Sequence, residues 1–164
     1  PRRLDGELVP FIQANDPEKI FEIPVVLSGK PLMSEQGDVF EIGTKEFFAE
    51  AFKFDVRQSD YYANAAEYFS LAQKVDGRFK VSQLGRVFID ADYNTKIGLF
   101  AKELVQRPIF RAMIEIWVAT GHLPDNKTVG ELIKLHRPDI GGSTVPRRAS
   151  SVNAVMNWFV MRIE

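Results

Sequence analysis

The sequence predicts a mainly α-helical chain with small β-hairpins, built as two winged-helix or helix-turn-helix units in tandem. Three observations predict it. Thr44 to Leu71 and Thr128 to Phe159 share one layout: a short capped helix, a break, then a longer helix that opens with arginine and polar residues. Asp76-Gly77 lies between alternating segments directly after the first pair, a strong hairpin signal at the position of a wing. The polar run Asp90 to Asn94 then divides a first domain, residues 1–91 with its leading segment, from a second, residues 92–164.

Each element has a local reason. Asp16-Pro17-Glu18 combines an N-cap carboxylate, proline at the first helical position and an acid in the first turn. The apolar segment that follows is expected to kink or end at Pro24 and to stop by Gly29. Residues 30–43 read as loop with one short strand. Thr44 caps a helix to about Phe52, with Phe47, Phe48 and Ala51 inward. Asp55-Val-Arg-Gln58 is a capping box, and a helix from there to about Ser70 puts Tyr62, Ala65, Ala66 and Phe69 on a core face. Arg57, Tyr61, Asn64 and Tyr68 share another face, expected to be exposed or at an interface. The hairpin tip carries Lys74, Arg78 and Lys80.

In the second half, helices are expected over Thr95 to Gln106 and Pro108 to Thr120, the latter started by Pro108 and closed by Gly121. Ile109, Met113, Ile116 and Trp117 form its inward stripe. Thr128-Val-Gly-Glu131 reads as a second capping box, with a helix to His136 and a turn over Arg137 to Gly142. Ser143 or Thr144 caps the last helix, with Pro146 in its first turn. Val152, Val155, Met156 and Phe159 face inward, opposite Arg147, Ser150, Asn153 and Asn157.

Composition narrows the function classes. With 164 residues, 45% of them hydrophobic, the chain can bury one substantial core or two small ones. Zero cysteines exclude disulfides and thiolate zinc sites and fit a reducing cytoplasm. No apolar run is long enough to span a bilayer, and the amino end lacks a signal-peptide pattern. It also lacks an initiator Met, as either a trimmed chain or an excised domain would. Residues 1–91 carry 11 Lys/Arg and 15 Asp/Glu and residues 92–164 carry 10 and 7, so the halves stand at −4 and +3. Such a chain is no nonspecific coater of nucleic acid, but local positive charge on the second half permits contact with phosphates.

The polar helix faces are the sharpest functional signal. Arginine suits guanine edges or phosphates, and Asn or Gln suits adenine. Arg57, Gln58 and Asn64 meet this need in the first half; Arg147, Arg148 and Asn153 meet it in the second. Ser59, Ser143, Thr144, Ser150 and Ser151 are short donors that suit phosphate oxygens, and Tyr61 can press on a sugar or a thymine methyl group. The alternative for each face is an ordinary solvated surface.

Catalytic constellations are missing from the sequence. His122 and His136, the two histidines, lack metal-ligand spacing. Gly141-Gly142-Ser143-Thr144 is followed by no P-loop lysine. A metal-dependent nuclease needs Pro-Asp and then an acid one residue before lysine; Pro124-Asp125 is followed by Glu131-Leu-Ile-Lys134, one residue too long. No catalytic residue, metal or cofactor is expected in this chain.

FDVRQSDYYANAAEYFSL at Phe54 to Leu71, followed by a basic hairpin and LGR, then RPIFRAMIEI and STVPRRASSVNAVMNW, resembles the winged-helix DNA-recognition module of certain type II restriction endonucleases. The resemblance covers residues 40–160. It implies recognition of a defined double-stranded DNA sequence, with cleavage by a covalently linked, metal-dependent nuclease domain elsewhere. It carries a DNA-contact role to Arg57, Gln58 and Asn64 and to Arg147, Arg148 and Asn153. The competing expectation is a protein-interaction scaffold that docks through the Tyr61/Tyr68 face and Trp158.

Overall fold

The computed structural model of the protein describes residues 2–3 and 8–163. It is mainly helical, with two small antiparallel hairpins. The chain divides into two compact units. One consists of residues 18–91 with the leading segment through Ala14, the other of residues 92–163 with residues 15–17. No described helix is long and apolar enough to cross a membrane.

The first unit starts with a segment that carries no periodicity yet enters the core: Val9, Phe11, Ile12 and Ala14 are all buried. Helix α1 (Pro17–Leu27) contains Pro24 without ending at it, because the Ser28 N–H still reaches the Pro24 carbonyl at 3.1 Å. Proline removes one hydrogen bond, but Ile20, Phe21, Ile23 and Leu27 are buried, and each such side chain contributes roughly 1.5–3 kcal/mol. The expected loop over residues 30–43 holds a two-residue pairing of β1 (Leu32–Met33) with β2 (Val39–Phe40).

Helix α2 (Lys45–Phe52) begins where expected: the Thr44 hydroxyl accepts the Phe47 N–H at 3.2 Å. Lys53, in the left-handed region at φ 56°, ends it. Two residues later the Asp55 carboxylate accepts the Gln58 N–H at 2.7 Å and starts α3 (Val56–Tyr68). Tyr62, Ala65, Ala66 and Phe69 are buried as their spacing requires. Ala51 is only half-buried.

Helix α3 stops in a Schellman motif. The Leu71 N–H donates to the Ala66 carbonyl at 2.8 Å and the Ser70 N–H to Glu67 at 3.0 Å, with Ser70 at φ 66° where glycine is usual. Strands β3 (Ala72–Val75) and β4 (Arg78–Val81) pair in register Gln73↔Lys80 and Lys74↔Phe79. Asp76 and Gly77, at φ 51° and 78°, make the tight turn a right-twisted hairpin needs.

The alternating pattern does not continue past Val81. Ser82 instead accepts the Gly85 N–H at 2.9 Å and starts α4 (Gln83–Asp90), a helix the sequence reading lacks. Two glycines permit close backbone contact here. A side chain at Gly85 would collide with the Leu71 carbonyl, and one at Gly43 with the Phe79 carbonyl. The Phe79 N–H donates to the Gly43 carbonyl at 3.0 Å, which fastens the loop before α2 to β4.

The second unit is four helices. Asp92 caps α5 (Tyr93–Val105) through the Thr95 N–H at 2.8 Å, two residues ahead of the expected start. Helix α6 (Pro108–Thr120) opens at Pro108 and closes at Gly121, φ 78°. Ile109 and Met113 are buried, whereas Ile116 and Trp117 are half-buried. Helix α7 (Asn126–His136) is capped three residues before the Thr128 box: Asp125 accepts the Thr128 N–H at 2.8 Å. The box reading fails because Asp125 offers the same acceptor one turn earlier. Helix α8 (Val145–Ile163) buries Val152, Val155, Met156 and Phe159 and packs along α7, where Gly130 lets Val145 approach.

Candidate nucleic-acid interface

In the first unit α2, the three residues Lys53 to Asp55, α3 and the β3–β4 hairpin follow one another in helix–turn–helix–hairpin order. A three- to four-residue turn suits two helices crossing steeply, with the second presented to a partner. The outward arc of α3 carries Arg57, Asp60, Tyr61, Asn64 and Tyr68, but only its first two turns are open. Arg57 and Gln58 are exposed, and Tyr61 and Asn64 are half-exposed.

Those side chains are already organised among themselves. The Arg57 guanidinium donates to the Tyr61 hydroxyl at 2.6 Å, and Asn64 donates to Asp60 at 3.3 Å. Further along, the face is closed. Tyr68 is 4% exposed, with Phe11 edge-on against it, and the Arg3 guanidinium grips the Glu67 carboxylate through bonds of 2.9 and 2.8 Å. Tyr68 is therefore not exposed with Arg57 and Tyr61, because the leading segment covers it.

Ser59 is also misplaced by the sequence reading. It is fully buried and donates to the Asp55 carbonyl at 2.9 Å, so it contacts no external phosphate. The hairpin cations do not form one group. Alternation sends Arg78 and Lys80 to one side of β4, while Lys74 pairs across to Phe79 on the inward side and lies over that ring at 5.2 Å. The Lys74 N–H also donates to Glu67 at 3.2 Å. Arg78 is ion-paired with Glu41; Lys80 is exposed.

In the second unit the α7–α8 connection spans residues 137–144, longer than a helix-turn-helix turn. Arg137 forms a two-pronged pair with Asp139, 2.9 Å on each arm, which holds the Asp139 carboxyl below its usual range. Ser143 is exposed, and the Thr144 hydroxyl donates to the Gly141 carbonyl at 2.8 Å. On α8, Arg147 and Ser150 are exposed, whereas Arg148, Ser151 and Asn153 are half-buried. Asn153 lies at the seam with α7 and donates to Asn126. Of the second-half candidates, Arg147, Ser150 and Ser143 are open for contact.

Sequence reasoning missed Lys127 and Lys134 of α7. Both line, with Glu131, Gly142 and Pro146, a cleft of about 340 Å³ beside the start of α8. Their spacing, seven residues apart and hence on one helical face, was the available signal. Among the described residues neither lysine nor Arg147 is in an ion pair, and no cluster of His, Asp and Glu could hold a metal ion.

A family model described as a domain of unknown function, DUF7226, matches residues 39–164. The chain belongs to the DUF7226 family. The DUF7226 match takes in both helix pairs and the β3–β4 hairpin, while the leading segment and α1 precede it. No curated protein and no solved structure matches the chain.

Proposed function

We propose that this DUF7226 chain binds double-stranded DNA and reads its sequence. The observation that carries the reading is the first unit's helix–turn–helix–hairpin order with Arg57, Gln58, Tyr61 and Asn64 on the open, opening turns of α3. The N-terminal residues of the second helix are the ones that reach base edges in such units, and these residue types match guanine and adenine edges. Arg147 with Lys127 and Lys134 supplies a second, more basic contact at the start of α8. The resemblance to restriction-endonuclease recognition modules supports a role as the target-reading part of a larger, cytoplasmic protein whose nuclease domain lies outside these residues.

The test is selection of bound duplexes from a randomised library at about 150 mM salt, where nonspecific binding is weak. A motif of several base pairs is the expected result. No enrichment, with retention lost as salt rises, would sink the reading.

A second reading, a protein-interaction module, is favoured by three exposed aliphatic residues of the second unit. Val118, Leu135 and Met161 are 74%, 72% and 74% exposed. Salt-insensitive association in solution without DNA enrichment would support it.

A further inference from the structure

The β3–β4 hairpin borders a cleft of about 580 Å³ within the first unit, and its chemistry differs from that of a flat wing. Four segments build it. Leu27 and Ser28 end α1, Ile42 precedes the Gly43 contact with β4, the hairpin gives Gln73 and Arg78 to Val81, and α4 gives Arg86 and Ile89. The Phe79–Gly43 hydrogen bond and the tight seating of Gly85 on Leu71 fix three of these segments to one another.

Charge converges there against the trend of the unit. Residues 1–91 hold four more acids than bases, yet among the described residues Arg78, Lys80 and Arg86 line the cleft and no carboxylate does. Glu41 pairs with Arg78 from outside the lining, and both side chains are about half-exposed. Ile42, Val81 and Ile89 stay half-exposed along the same cleft. Small-molecule sites have this mixture, an apolar lining with a few convergent polar groups, at volumes of roughly 300–1,000 Å³.

We propose that this cleft binds a small organic anion, its phosphate or carboxylate head between Lys80 and Arg86 and its apolar body along Ile42, Val81 and Ile89. Arg78 completes the head site when the anion replaces Glu41. The proposal does not rest on the DNA reading.

Calorimetric titration of the whole chain with hexyl phosphate, hexanoate and inorganic phosphate tests it. At least one of the two organic anions should bind tenfold or more tightly than inorganic phosphate, and the better of them identifies the head group. The Lys80→Ala/Arg86→Ala double variant should lose at least tenfold in that affinity at an unchanged melting temperature, and Arg86→Glu should abolish it. Equal affinity for inorganic phosphate, absence of binding, or a double variant that binds like the parent would each overturn the proposal. So would variants that weaken DNA binding while no organic anion binds, since the hairpin would then be a backbone-contacting wing.

Discussion

Tyr68 stands edge-on to Phe11, their ring centroids 5.4 Å apart and their planes at 78°. This contact limits the accessible face of α3, because it closes the last turns and leaves Arg57 to Asn64 as the open portion. Phe11 is 3% exposed, so Phe11→Ala should cost about 3–5 kcal/mol, the usual range for truncating a buried aromatic. Urea unfolding is the measurement. A midpoint that falls with an unchanged slope is expected; a parent-like midpoint would mean the leading segment is not part of the core.

Ser59 and Arg147 separate buried from available polar groups. Ser59→Ala should leave DNA affinity unchanged, since its hydroxyl is spent on the Asp55 carbonyl. Arg147→Ala should weaken binding to a preferred duplex by about 1–3 kcal/mol if the guanidinium reads a base edge. Fluorescence anisotropy on both variants checks this, and the reverse ranking would invalidate the contact assignment.

Glycine in a helix is normally improved by alanine, by about 0.5–1 kcal/mol. Gly85 should show the opposite sign. Its added Cβ would press on the Leu71 carbonyl, which is backbone and has no rotamer to escape through. Gly85→Ala should therefore destabilise by about 1–3 kcal/mol. Ser70→Gly is the complement: at φ 66° the change relieves left-handed strain and should stabilise by about 1 kcal/mol. Thermal melts of the two variants should move in opposite directions.

Signals that act within one turn are legible in the sequence. Thr44, Asp55, Pro108, Gly121 and Asp76-Gly77 each set a local geometry through groups three or four residues away. The periodic core of α3 and α8 was readable for the same reason. The buried Tyr68 was not, because what covers it is an irregular segment without periodicity, and Arg3 reaches Glu67 across 64 residues. Helix α4 was overshadowed by the hairpin signal just before it, although Ser82-Gln83 breaks the alternation after Val81 and the Ser82 cap marks the helix start. The candidate site divides the same way. Exposure of Arg57 and Arg147 follows from helical spacing, whereas the inward turn of Lys74 follows from strand register, which the sequence reading did not resolve.

Acid should discriminate the second unit's helix caps. Hydrogen bonds from the Thr95 and Thr128 backbone N–H groups, with smaller help from their hydroxyls, hold the Asp92 and Asp125 carboxyls below the usual aspartate range. A depressed folded-state value means the unfolded chain binds more protons in that range, so stability rises with pH there. The contribution is complete above the unfolded value, near pH ~4, and is lost as pH falls through the lower folded values. Asparagine caps helices about as well as aspartate but carries no titrating proton. The Asp92→Asn/Asp125→Asn variant should thus melt close to the parent at neutral pH and show a flatter decline below pH ~4, since the remaining carboxylates are common to both proteins. Melting curves that fall in parallel through that range would show that these two caps do not carry the acid sensitivity.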